Sequence, residues 1–449
     1  MKFLSAKRNT RIESRSRSES QSESQSQSQS QSQSQSQSQP PAIDRYARRT
    51  LVLFFLANLT NFYDRQIVSA LAEAIKAEFA LTDAQVGGLN SAFELTYPLA
   101  AVVLAMIADR WGRRRIVTLA VAIWSAATAL TGAAGSYLAL ILARLGVGIG
   151  QGGYGPPAVA TLTRIFPDAY RARAVSIHEV GVMVGSAAGY LLGGLIAEAL
   201  GWRVPFLAGG FLGLLLAWAI GRLSARESLP SPPSPGGPVS AVPHLAASTA
   251  RQLLAVRTLR LIYGSGVLFY LSLGGLVFWL PTFMQRFHGY TLAAAAAVGG
   301  TAQVVMGVAG VLAGGWLGDR LSQRHAGGRL LTMGLGLATG TPLAILAMVT
   351  YNHVLFLASA ALALFFYALS FPCIGPQIND VTPSHLKATA QAFYLLLTHY
   401  LGSLPAAPLI GWLSDGGQDL RGGMVAMPGL SLVAALMLLW GGREMVDGG

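Results

Sequence analysis

The sequence predicts an all-α polytopic membrane protein of twelve transmembrane helices in two six-helix halves. Three observations carry that prediction. Hydrophobic residues make up 52% of the 449-residue chain and charged residues only 12%, about half the ~25% charged content of a soluble domain. The apolar residues fall in runs of about 20, the length that crosses a bilayer. A short polar pattern also recurs at matching places in the two halves.

Taken in order, residues 1–41 form a polar tail, with "SESQSESQSQSQSQ" as its core. Such a Ser/Gln repeat cannot bury a core and is expected to be disordered. It contains no apolar signal-peptide core. A six-helix bundle is expected over 45–223, with spans at 50–72, 86–108, 115–135, 138–166, 171–198 and 202–223. A linker at 224–257 contains "SLPSPPSPGGPVSAVPH" and then "RQLLAVRTLR", which reads as an interfacial helix. A second bundle is expected over 258–442, with spans at 258–285, 291–318, 328–350, 353–380, 386–413 and 424–442.

Charge sets the orientation. Arg45, Arg48 and Arg49, Arg113–Arg115, Arg171 and Arg173, Arg320 and Arg324, and Lys387 share one side with the tail and linker. Only Lys76, Arg203, Arg286 and Arg421 lie on the other. Both termini and the linker are therefore expected in the cytoplasm of a bacterium, with the chain in its inner membrane. The net charge of +12 arises from these short clusters rather than a continuous basic face, which argues against a nucleic-acid partner. The lone cysteine, Cys373, allows neither an internal disulfide nor a multi-thiolate metal site. No metal or cofactor is expected. The chain has no G-x-S-x-G, no H-E-x-x-H and no phosphate-binding G-x-x-x-x-G-K-[S/T]. An enzyme and an ATP-driven pump are disfavoured accordingly, and an enzyme or a non-transporting receptor is the remote alternative.

The halves repeat each other. "FPDAYRARAVS" follows the fourth span and "TPSHLKATAQA" the tenth, both as P-x-x-x-[R/K]-A-x-A, while "ADRWGRRR" ends the second span and "GDRLSQR" the eighth. "AMIADRWGRRR" (105–115) closely resembles the G-x-x-x-D-R-x-G-R-R loop signature of the major facilitator superfamily, with Ala105 where glycine is usual. The resemblance implies the major facilitator fold, whose parallel repeats relate two six-span halves. It also implies a conformational latch made by Asp109, Arg110, Gly112 and Arg113, with Asp319 and Arg320 as counterparts.

Within that superfamily, "NFYDR", "RLGVGIGQGGYGPP" and "LKATAQAFYLLLTHYLGSLPAAPLIGWLSD" resemble Spinster-type transporters over about residues 45–442. Those commonly carry N-Y-x-D-R, G-x-G-E-A-x-Y and H-x-L-G-D. Here Asp64 and Arg65 fit, Gln151 takes the glutamate position, and the motif at His399 ends in Ser403 rather than aspartate. The resemblance implies secondary active transport by alternating access, coupled to protons, of a lysolipid or related amphiphile, by a chain functional as a monomer among membrane lipids. An organic anion:cation symporter of the same superfamily is the alternative, because it shares the first-span pattern.

Helical rise of about 1.5 Å per residue puts Asp64 roughly 21 Å into its span, Glu94 roughly 12 Å and Arg144 roughly 9 Å into theirs. With Arg65 they would form one neutral layer, which is how buried charge is tolerated. Ionisable residues at bilayer depth are functional candidates. The candidates for proton coupling and substrate contact are thus Asp64, Arg65, Glu94, Arg144, Gln151, Glu179 and His399, with Asp64 the main proton carrier and Arg144 or Arg65 its counter-charge. His178 lies beside Glu179, about one-third of the way into span five. The glycines at 181, 185, 189 and 193 read as a packing stripe.

Overall fold

A computed structural model describes residues 43–223, 247–417 and 419–447. The expected tail and most of the linker lie outside the described residues. Of the linker, a helix at Ala247–Ala255 is described, and it ends one residue before the seventh span begins at Arg257. No strand occurs among the described residues.

The chain traverses twelve times. In the first half the spans are Arg45–Ala70, Asp83–Trp111, Arg113–Gly132, the pair Tyr137–Gly152 and Gly155–Ile165, Asp168–Leu200 and Arg203–Gly221. In the second they are Arg257–His288, Leu292–Ser322, Gly328–Val349, the pair His353–Ala368 and Phe371–Val381, Ser384–Asp415, and Leu420–Asp447 with a break at Met427. Spans four and ten, read as single runs from the sequence, are each interrupted just past the middle. Pro156 and Pro157 open the second piece of one, and Pro372 that of the other. Proline suits a first helical turn because its missing N–H would be unpaired there anyway. A short helix at Ala72–Phe79 follows span one.

Five of the six spans that start at the end of the molecule opposite the N-terminus are capped by side chains: Thr82, Ser136, Thr291, Asn352 and Asp419 each accept from a backbone N–H of the first turn, while span six starts after Trp202 without such a cap. Each cap satisfies a donor that would otherwise be unpaired.

Close helix contact comes from glycine spacing. A Cβ at Gly181, Gly185 or Gly189 would stand 2.9, 2.2 or 2.6 Å from the carbonyl oxygens of Phe55, Leu59 and Tyr63. Span five thus lays a four-residue ladder onto span one, the arrangement that lets backbones touch in a bilayer. Gly310 and Gly314 of span eight do the same against Phe365 and Leu369 of span ten. Large apolar side chains such as Phe211, Trp218, Leu312 and Trp316 point outward and are exposed, as a lipid-facing surface requires.

The halves meet at the end away from the termini. Ala293 N donates to Glu198 at 3.0 Å, Ser69 Oγ to the Phe278 carbonyl at 2.5 Å, and Ser91 Oγ to the Leu404 carbonyl at 2.5 Å. Gly87 lies against Ala407 and Pro408, and Gly411 against Asp83, so closely that a Cβ would come within 2.6 and 2.4 Å of backbone.

Candidate functional site

Asp64 and Arg65 are neighbours in sequence but face apart, because successive helical residues are turned by about 100°. Asp64 points into the first half. It is 1% exposed and accepts a 2.9 Å hydrogen bond from Thr128 Oγ1 of span three. Its other oxygen, Oδ1, has no hydrogen-bond partner among the described residues. Gly209 of span six leaves room for that oxygen, since a Cβ there would lie 3.0 Å from it.

Arg65 turns instead toward spans two and four. Its guanidinium lies 4.7, 5.0 and 4.3 Å from the ring centres of Phe62, Phe93 and Tyr97, contacts worth about 0.5–1 kcal/mol each. Arg65 Nε donates to Gln151 Oε1 at 2.9 Å, and Gln151 Nε2 donates to the Asn61 carbonyl at 3.1 Å. The amide therefore uses both its ends, donating and accepting at once. An ionised glutamate there has no N–H for Asn61.

Arg144 is 2% exposed and packs over the Phe93 ring at 5.2 Å. The charges of Asp64, Arg65 and Glu94 all act on it, though no ion pair within 4.0 Å joins it to any of them among the described residues. Asp64, Arg65 and Glu94 of the expected layer thus lie within electrostatic reach of Arg144.

Glu94 also reaches across to the other half. Its Oε2 lies 2.6 Å from His399 Nδ1 on span eleven. Tyr97 and Tyr270 flank the imidazole with ring centres at 5.5 and 6.2 Å. Tyr400 OH donates to the Leu95 carbonyl beside it at 3.1 Å. Residues Thr398–Ser403 form a π-helical turn, a widened turn that is frequent at functional sites. The sequence reading treated Glu94 and His399 as separate candidates; packing of span two on span eleven pairs them.

A cavity of about 220 Å³ lies beside this cluster between the halves. Gln66, Ser186 and Gln303 give it polar groups, and Phe62, Met183 and Phe371 apolar walls. Arg65 stacks on Phe62, so the charged cluster adjoins the cavity. Glu179 stands on span five, exposed, with His178 Nδ1 3.0 Å from its Oε1.

The sequence reading missed a second cluster, at the end away from the termini. Arg286 of span seven binds Glu73 at 2.6 Å and Asp83 through two nitrogens at 2.7 Å. Lys76 meets Asp83 at 2.5 Å, and Ser414 donates to it at 2.7 Å. Asp415 accepts from the backbone N–H groups of Asp83 and Ala84 at 3.0 and 2.9 Å. A carboxylate at a helix N-terminus is favoured by the helix dipole. The available signal was the unusual density of charge just outside spans one, two, seven and eleven.

The loop residues expected to latch the halves together bind within their own half. Asp109 holds Arg113 at 3.2 Å, and Arg113 donates to the Ala160 carbonyl at 3.3 Å. Gly112 makes the turn between them at φ 94°, where a side chain would be strained. Asp319 pairs at 3.3 Å with Arg329, which also bonds Asp380. Arg320 instead lies over Trp316, and Arg110 is exposed.

The family model described as Major Facilitator Superfamily matches residues 54–407. The chain belongs to the Major Facilitator Superfamily. This major facilitator is 31% identical over 392 residues to an "MFS-type efflux pump" of Mycolicibacterium smegmatis, covering 86% of this chain and 89% of that one. It is 25% identical over 383 residues to "Protein spinster homolog 3" of Danio rerio, covering 80% and 75%. Its fold superposes with a TM-score of 0.79, at 24% identity, on the crystal structure of a bacterial homolog to the human lysosomal transporter Spinster in an inward-facing and unoccupied conformation, covering 90% of this chain and 99% of that one. This is a major facilitator with Spinster-like relatives, an integral membrane protein of a family of transporters rather than enzymes.

Proposed function

We propose that the chain is a proton-coupled secondary transporter that moves a lysolipid or related amphiphile by alternating access. The observation that carries the reading is the Glu94–His399 pair, a titratable contact 2.6 Å long that joins the two halves beside Arg65 and Arg144. Adding a proton to Glu94, or removing the one shared with it, weakens the attraction between the halves. A change of protonation thereby biases which side is open.

Asp64 supplies the second half of the mechanism. Its buried carboxyl has one hydrogen bond where an ionised carboxylate can take several. Nearby Arg144 favours its charged form against burial, and rearrangement that moves Arg144 away favours its protonation. Gln66, Ser186 and Gln303 would hold a polar headgroup and the apolar cavity walls a chain. The excess of Lys and Arg near the termini supports a cytoplasmic location for both, in a bacterial inner membrane. In that orientation the clasp around Arg286 and Asp83 closes the outer end, and the described state opens inward. The latch loops at Asp109 and Asp319 would engage across the halves once that inner side closes. Transport requires only one chain in this reading.

The test is flux in proteoliposomes with and without a pH gradient, after a ligand-stabilisation screen that compares lysophospholipids with small carboxylates. Asp64→Asn is expected to bind substrate yet lose gradient-driven accumulation. Full coupled transport by that variant overturns the assignment to Asp64. Stabilisation by small carboxylates alone overturns the amphiphile reading.

A further inference from the structure

We infer that Tyr154, His178 and Glu179 form a proton-holding site in the first half, separate from Asp64 and reached only from the cavity between the halves. The argument counts hydrogens. Tyr154 OH donates to the Phe54 carbonyl at 2.6 Å, and a carbonyl can only accept. The phenol has one hydrogen, so His178 Nε2, 3.0 Å from the same oxygen, must carry its own and donate it. A neutral imidazole has then spent its N–H, leaving a bare lone pair on Nδ1. Yet Nδ1 lies 3.0 Å from Glu179 Oε1. Two acceptors do not sit at that distance. Either the imidazole is doubly protonated beside an ionised Glu179, or Glu179 is protonated and donates to Nδ1. Both arrangements hold one proton more than a neutral histidine with a free carboxylate.

The surroundings give that proton one route. His178 is 2% exposed and lies on the glycine-ladder face of span five, where Asn58 of span one donates to its backbone carbonyl at 2.9 Å. Tyr154 is 1% exposed, and Trp124 of span three packs edge-on against it. Among the described residues, the groups facing the imidazole are Tyr154 from span four, Asn58 and the Phe54 carbonyl from span one, and Glu179 from its own span. The chain of hydrogen bonds ends at the Phe54 carbonyl, which cannot pass a proton on. The other end is open: the Glu179 side chain is 55% exposed. Glu179 also stands three, four and seven residues before Val182, Met183 and Ser186, which line the inter-half cavity, and that spacing shares one helical face. The proton enters and leaves through Glu179 and is held on the His178–Glu179 pair. Closing the second half over that face isolates it. That last step rests on the alternating-access reading above; the proton count does not.

The experiment uses the full chain in lipid nanodiscs with nitrogen-15-labelled histidine. The His178 signals are assigned by their loss in His178→Gln. If that variant does not accumulate, they are assigned by the one histidine of seven that shifts in Glu179→Gln, a change at an exposed position. Near neutral pH, His178 is expected with Nε2 protonated. Either Nδ1 is protonated too, or an infrared band of a protonated carboxyl is present and is lost in Glu179→Gln. In Glu179→Gln the amide can donate to Nδ1, so a singly protonated His178 is expected. Neutral His178 beside ionised Glu179 overturns the site, as does an unprotonated Nε2. If the site holds its proton but flux is indifferent to the pH gradient, the site stands and the coupling in the proposed function falls.

Discussion

Glu94 Oε2 and His399 Nδ1 are 2.6 Å apart although 305 residues separate them in sequence and they belong to opposite halves. The bond is therefore present only while spans two and eleven touch at this depth. A hydrogen bond to a charged group is worth about 1.5–3 kcal/mol, and at about 1.4 kcal/mol per factor of ten this is roughly 10- to 100-fold in a ratio of states. His399→Leu is expected to shift the population toward the state open at the opposite end by about that factor, read as distance changes between spin labels on the two halves. Glu94→Gln keeps a neutral bond and is expected to flatten the pH profile of flux while leaving the closed distance intact.

The clasp at Arg286 holds the same interface from its end. Arg286→Gln would leave Asp83, whose side chain is only 3% exposed, with Lys76 as its one remaining cationic partner among the described residues. Removing one partner from a desolvated charge pair costs about 2–5 kcal/mol. The variant is expected to favour the outward-open arrangement, measured as increased labelling of a cysteine placed near Glu73 in a Cys373→Ser background. Unchanged labelling would mean that the apolar contacts at Gly87 and Gly411 hold the end shut by themselves.

The glycine ladder makes a sharper stability prediction. A methyl group at Gly185 would stand 2.2 Å from the Leu59 carbonyl oxygen, with backbone on both sides and no flexible side chain to yield. Overpacking of this kind costs about 1–3 kcal/mol. Gly185→Ala is expected to lower the melting temperature in detergent, whereas Gly307→Ala, where nothing lies within 4 Å, is expected to leave it unchanged.

Gln151→Glu tests the amide bridge. The ionised form would face the Asn61 carbonyl with a second acceptor, and only the protonated form restores a donor. Arg65 Nε would still donate to the ionised form, so the expected cost at neutral pH is that of the Asn61 carbonyl left facing an acceptor. An unpaired buried polar group costs about 1–3 kcal/mol. Melting temperature of the variant and the parent chain at neutral pH checks both sign and size.

Much of this architecture could be read from residue order alone. Apolar run lengths located the twelve crossings, and the four-residue glycine spacing marked span five as a packing surface. Continuous apolar composition hid the interruptions before Pro156 and Pro372. The partners across the halves were not readable. Glu94 with His399 and Arg286 with Glu73 are set by how two bundles lean together, which no local pattern encodes. Gln151 shows the same limit from another side. Its departure from the family pattern was visible, but the use of both ends of its amide emerged only with Asn61 and Arg65 in place.

The π-helical turn at Thr398–Ser403 gives span eleven two registers. Such a turn accommodates one residue more than an α-helical turn. If it tightened to α-helix, the segments before and after it would counter-rotate by roughly 100°. Leu404–Asp415 is anchored to the other half through Asp415 and Gly411, so the rotation would fall on the segment that carries His399. A twist of a single helix could then retract the imidazole from Glu94 without moving either bundle as a body, and a one-residue deletion at Leu401 would set that twist permanently.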